Sequence, residues 1–166
     1  MSPEDPAELI AVLAVMAFMV AVVVIGIVVS VRYGRRRLAQ TGSAATQYGF
    51  TPVQGPLFWL RTMPAYPRGR LIQAYAGQRG GRTVVLGEYF YSDPTPFVRS
   101  RHVLSVAAVQ LRRQHPPQEG HGRLGFWRVV GPDIITVREG VLDFNQMLPL
   151  ADDLLGAAAW LEGEGY

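Results

Sequence analysis

Residues 9–31 read LIAVLAVMAFMVAVVVIGIVVSV, an uncharged run bounded by Glu8 and Arg32. About 20 residues at ~1.5 Å rise each are enough for a helix to cross a ~30 Å hydrocarbon core. Within such a core the backbone can satisfy its hydrogen bonds only in a helix or a closed barrel, and one segment cannot close a barrel. The run therefore predicts a single transmembrane helix. Everything after it reads as a domain tethered by that helix.

The charge pattern around the run orients it. Glu4, Asp5 and Glu8 precede it, whereas Arg32, Arg35, Arg36 and Arg37 follow at once. Basic residues beside a span are retained on the cytoplasmic side, and acidic ones contribute little. This predicts an outward N-terminus and a cytoplasmic C-terminal domain. A cleaved signal peptide would carry a basic leader, a shorter apolar core and a small-residue cleavage site. Here the leader MSPEDPAE is acidic, and Arg32 stands where cleavage would fall. The four arginines also lie at headgroup depth, where each would be worth ~1 kcal/mol against anionic lipid.

The expected organisation is a short acidic extracytoplasmic tail (1–8), a transmembrane helix (9–31), a basic juxtamembrane segment (32–42) and a soluble α+β domain (43–166). The last is long enough for one compact core. The chain has no Cys, which excludes disulfides, thiolate metal sites and Cys nucleophiles. All 16 basic residues are Arg, in a background rich in Ala, Gly, Val and Pro. That bias reads as GC-rich coding rather than as a nucleic-acid track, and the domain's interspersed acidic residues argue the same way. Arg99, Arg101, Arg112 and Arg113 flank the ends of one expected strand and could form a second basic rim.

Pro6 suits the first turn of the long helix, where its missing N–H costs nothing. Within the span, Ala7, Ala11, Ala14, Ala17 and Ala21 fall in one sector at 100° per residue. Small residues allow close helix approach in lipid, to itself or to another membrane protein. An Ala-rich proteome would give the same pattern, and both readings stand. Thr41-Gly42-Ser43 predicts a break, with Ser43 capping a short helix that ends at Gly49. The four-proline stretch 51–69 is irregular, yet carries Leu57, Phe58, Trp59 and Leu60. These either plug the core or meet lipid or a partner.

Strand patterns follow. Residues 71–76 and 83–91 predict a hairpin with a longer loop over Gly77–Gly81. Residues 102–111 are apolar on both faces and predict a central strand. Residues 115–122 read as a loop, and 126–130 with 134–138 as a hairpin around Gly131-Pro132-Asp133. A final amphipathic helix is expected with Pro149 in its first turn, Asp152 and Asp153 complementing its dipole, and Gly163 closing it. About five strands without helix-length connections predict a small antiparallel sheet with this C-terminal helix across one face.

Tyr48-Gly49-Phe50, Ala74-x-x-Gly77-x-x-x-Gly81-Arg82 running into Val85-x-Gly87-x-Tyr89-x-Tyr91, then Trp127-Arg128-Val129 and the Leu-rich last helix form a further pattern. In these the chain resembles a group of uncharacterised actinobacterial single-pass membrane-anchored proteins. The resemblance covers most of residues 32–162 and implies architecture, not an activity; such proteins often have a longer segment between His115 and Trp127.

Candidate chemistry is sparse. His115, Glu119 and His121 are the only cluster resembling metal ligands, but zinc sites use more ligands and tighter spacing. Ser100, His102 and Ser105 lack a G-x-S-x-G nucleophile elbow. Gly77–Arg82 lacks the Lys-Ser/Thr ending of a phosphate loop, and a hairpin turn explains it. No catalytic residue, metal ligand or cofactor is therefore assigned. The expected function is a non-catalytic binding or scaffold module on the membrane, with the bilayer and a membrane partner or second copy as its contacts. The alternative is a membrane-anchored, hydrolase-like enzyme with its site under the 57–60 segment.

Overall fold

The computed structural model describes residues 6–53, 69–92 and 101–164. The chain divides into two compact units, Met1–Gln40 and Thr41–Tyr166. Among the described residues, a long apolar N-terminal helix, an antiparallel sheet of seven strands and a C-terminal helix make the α+β architecture.

Helix α1 spans Pro6–Gln47 without the break expected at Thr41–Ser43. The reason lies in packing of its last turns. Thr41 and Ala45, one turn apart, are buried in the second unit. That burial outweighs the ~1 kcal/mol that Gly42 costs a helix. The end is a Schellman cap: Phe50 N–H donates to Ala45 O, Gly49 N–H to Thr46 O, and Gly49 adopts φ +77°. Gly49 thus terminates the helix as its sequence position suggested.

The strands are β1 (Thr51–Pro52), β2 (Arg70–Arg79), β3 (Arg82–Ser92), β4 (Arg101–Gln110), β5 (Glu119–His121), β6 (Phe126–Val130) and β7 (Asp133–Glu139). Their spatial order is β1-β2-β3-β4-β7-β6-β5, every pair antiparallel. β4 is therefore the middle strand, and its two-sided apolar pattern has a physical outlet. Ala107 and Val109 join the core on one face; Leu104, Val106 and Ala108 join a second cluster with Tyr89, Val130 and Ile135 on the other.

Two turns differ from expectation. The β2–β3 loop is only Gly80-Gly81, both at positive φ (56° and 70°), the backbone that a tight two-residue hairpin requires. Residues 119–121 form a short strand rather than loop, recruited by pairing with β6.

Helix α2 spans Phe144–Leu161 and covers the first face through Phe144, Met147, Leu150, Ala151, Leu154 and Ala158. It starts earlier than predicted, capped by Asp143, whose Oδ1 accepts from Asn145 N–H at 2.9 Å. Pro149 consequently lies inside the helix, and Asp152 and Asp153 sit in its middle. Their role is not dipole complementation.

Candidate binding groove

Asp152 and Asp153 point about 100° apart on α2, and each clamps a different hairpin. Arg79, at the end of β2, makes a two-pronged bond to Asp152 (Nε–Oδ1 2.9 Å, Nη2–Oδ2 3.0 Å). Asp153 reaches the β5–β6 turn, accepting from the backbone N–H groups of Arg123 (3.0 Å) and Leu124 (2.9 Å). Gly122 is needed there, because a Cβ would lie 2.2 Å from Asp153 Oδ2. Gly120 is needed as well, since its Cβ would lie 2.3 Å from the Trp127 ring.

A third clamp closes the far end of α2. Arg82 and Glu162 are almost fully buried and paired, and Arg82 Nη2 also reaches Glu164 at 2.8 Å. Glu162 Oε1 accepts the N–H groups of Arg112 (2.6 Å) and Arg113 (3.0 Å). Burial alone would push the Glu162 carboxyl up. The Arg82 guanidinium and the two N–H donors outweigh that and hold it below the usual range.

Between α2 and the β5–β6 hairpin, beside the Asp153 clamp, lies a groove of about 520 Å³, lined by Gln118, Gly120, His121, Trp127, Ala157 and Trp160 among others. Trp127 is its buried floor, whereas Trp160 is 72% exposed on the rim. The Asp153 carboxylate is already engaged by the turn, and the Glu119 carboxylate by Arg128 at 2.9 Å. What remains is small-residue and indole surface beside Gln118 and His121, suited to holding an apolar side chain or a backbone strand.

A second polar site is structural. Glu88, fully buried on β3, accepts from Gln73 Nε2 (3.1 Å) and Leu142 N–H (3.0 Å), and the Tyr75 hydroxyl donates to Gln73 Oε1 (3.0 Å). Burial, and then the Glu88 charge, push the Tyr75 hydroxyl up. The signal was available in the sequence, because Glu88 shares the strand face of Val84 and Leu86. The network pins the loop that launches α2.

The other sequence candidates separate. His102 stacks on Tyr91 (4.9 Å), while Ser105, three residues on and so on the opposite face of β4, donates to Gly140 O at 3.0 Å. They share no site. His121 packs edge-on to Phe126 (5.1 Å) and Glu119 pairs with Arg128. Among the described residues no three potential metal ligands converge. Gly77–Arg82 is hairpin, as expected. Ala11, Ala14, Ala17 and Ala21 lie exposed along α1, which also includes Ala7 in its first turn. Arg32, Arg35 and Arg36 are exposed and Arg37 half-buried on the same helix. Leu57, Phe58, Trp59 and Leu60 lie outside the described residues, as do Arg99 and Ser100. No family model, no curated protein and no solved structure matches the chain.

Proposed function

We propose that this chain is a single-pass protein of the cell membrane whose C-terminal domain lies in the cytoplasm and acts as a binding or scaffold module without catalysis of its own. The observation that carries the anchor is α1. Its large apolar residues from Ile10 to Val31 are each 47–69% exposed, on a helix long and apolar enough to cross a membrane. Leaving that many large side chains in water opposes the dominant driving force of folding, so a bilayer is the natural cover. Arg32, Arg35, Arg36 and Arg37 then meet anionic headgroups on the cytoplasmic side. The Ala7, Ala11, Ala14, Ala17 and Ala21 sector offers a close-approach face to a second helix.

The binding reading draws on the groove, whose carboxylates are already paired and whose remaining surface is indole, glycine and alanine beside Gln118 and His121. Filling it tests the reading. Ala157→Trp in the full-length, membrane-embedded protein should leave the melting temperature within a few degrees and remove proteins that co-purify with the parent after cross-linking. An unchanged set of partners would refute the groove as the binding surface.

A further inference from the structure

The two edges of the sheet are built differently. β1 carries Pro52, which cannot donate to a neighbouring strand and blunts its edge. β5 has no such block. Its hydrogen bonds to β6 fix which backbone groups face outward: Val129 N–H donates to Gln118 O (2.8 Å), and Gly122 N–H to Gly125 O (2.8 Å). In an antiparallel ladder the bonded residues alternate, so 118, 120 and 122 face β6. The N–H and C=O groups of Glu119 and His121 face away from it, and among the described residues no strand pairs with them.

Apolar exposure gathers around this same edge. Of the six large apolar residues exposed in the described part of the second unit, Leu124 and Phe126 lie on the β5–β6 hairpin and Trp160 on the facing turn of α2. The others, Tyr48, Ile72 and Val141, lie elsewhere in the chain.

We infer that this edge pairs with the β5 edge of a second copy, antiparallel about a two-fold axis at Gly120. The inference deepens the binding-module reading by naming the partner. The side chains select both partner and register. With the axis at Gly120, Glu119 lies opposite His121 of the second copy, and His121 opposite its Glu119. Each pair exchanges two backbone hydrogen bonds and places a carboxylate beside an imidazole N–H on the face away from α2. Of the neighbouring registers that keep the ladder bonded, one would oppose Glu119 to Glu119, and like charges across a strand pair are destabilising; the other would oppose His121 to His121 and forgo the carboxylate–imidazole pairing. At the axis itself the two Gly120 residues meet in the narrow, non-bonded position, where the absence of a side chain permits approach. On the α2 face, the exposed Trp160 of each copy flanks the axis beside the groove floored by Trp127. The contact is small, and confinement of both copies to one membrane raises their effective concentration.

The test uses full-length protein in membranes and exploits the absence of native cysteine. Glu119→Cys and His121→Cys are co-expressed or expressed singly, and treated with the short thiol bridger dibromobimane. The mixture should give covalent dimers well above either variant alone, because only the 119–121 pair is directly opposed. His121→Pro removes an outward N–H without touching the β6 ladder. It should reduce the dimer to monomer in detergent sedimentation with little change in melting temperature. Adducts no more frequent in the mixture than in the single variants overturn the inference, as does a dimer surviving in a folded His121→Pro. Alkaline carbonate extraction of the same samples reads the anchor separately: protein that stays in the membrane but gives no 119–121 adduct refutes the edge pairing alone. The adduct is read in whichever fraction holds the protein.

Discussion

Arg82→Met probes the clamp that joins α2 to the sheet. In the parent, the Arg82 and Glu162 side chains are only 3% and 2% exposed, so neither charge is repaid by water when its partner goes. Removing one member of a buried pair costs ~3–5 kcal/mol because the other is left uncompensated. Glu162 would keep the N–H groups of Arg112 and Arg113, which places the expected loss at the lower end of that range. Set against a total stability of ~5–15 kcal/mol, the loss is large. For a domain of this size it corresponds to a melting shift of about 10–20 °C. The pH dependence is the sharper signature. In the parent, Glu162 has a depressed folded-state pKa, so its contribution is present above the ordinary carboxylate value and is lost as pH falls through the folded value. Without Arg82, burial favours the protonated acid, and the variant gains relative stability as the carboxyl takes up a proton. Tryptophan fluorescence of the full chain in detergent, melted at neutral and acid pH, should therefore show a wide gap at neutral pH that narrows in acid. A gap of equal size at both would refute the claim that the clamp acts through charge.

Three further outcomes are expected. Val106→Asp places an unpaired carboxylate in a position with no exposed surface on the middle strand; it should cost several kcal/mol and unfold the domain by circular dichroism. Gly120→Ala drives a methyl group into the Trp127 ring and should lower stability by ~1–3 kcal/mol in a denaturant titration. Burial pushes the Asp133 carboxyl up to about 6. A raised folded-state pKa contributes stability below the ordinary carboxylate value that is lost as pH rises toward 6; Asp133→Asn should flatten that fall, measured as the difference between parent and variant melts from pH 4 to 7.

The elements legible in the sequence are those whose pattern is local. The apolar run of α1, the two-faced β4 and the β6–β7 hairpin each announce themselves through hydrophobic period and turn residues. What could not be read depends on contacts far along the chain. Thr41-Gly42-Ser43 looks like a helix stop, but burial of Thr41 and Ala45 carries α1 through it. Glu119-Gly120-His121 has no strand propensity; it becomes a strand because β6 pairs with it and because Trp127 and Asp153 occupy the space that Gly120 and Gly122 leave open. The start of α2 carries two competing local signals. Asp143-Phe144-Asn145-Gln146 carries the capping-box pattern, while Pro149 and the two following aspartates imitate a later start. Asp153 lines the groove and Asp152 clamps the β2–β3 hairpin, roles that require knowing which hairpins lie on either side of the helix. The groove itself joins residues some forty positions apart, Gln118 to Trp160, and no local pattern brings them together.

The proposal that α1 spans a membrane and holds the domain on its cytoplasmic side is open to direct measurement. The direct measurement is a pair of reporters fused after Tyr166 in the full-length chain, one active only in the cytoplasm and one only outside it, read in membranes washed with alkaline carbonate. Membrane-retained protein with activity from the cytoplasmic reporter alone is the expected result. Release of the protein by carbonate, or activity of the external reporter, would contradict it.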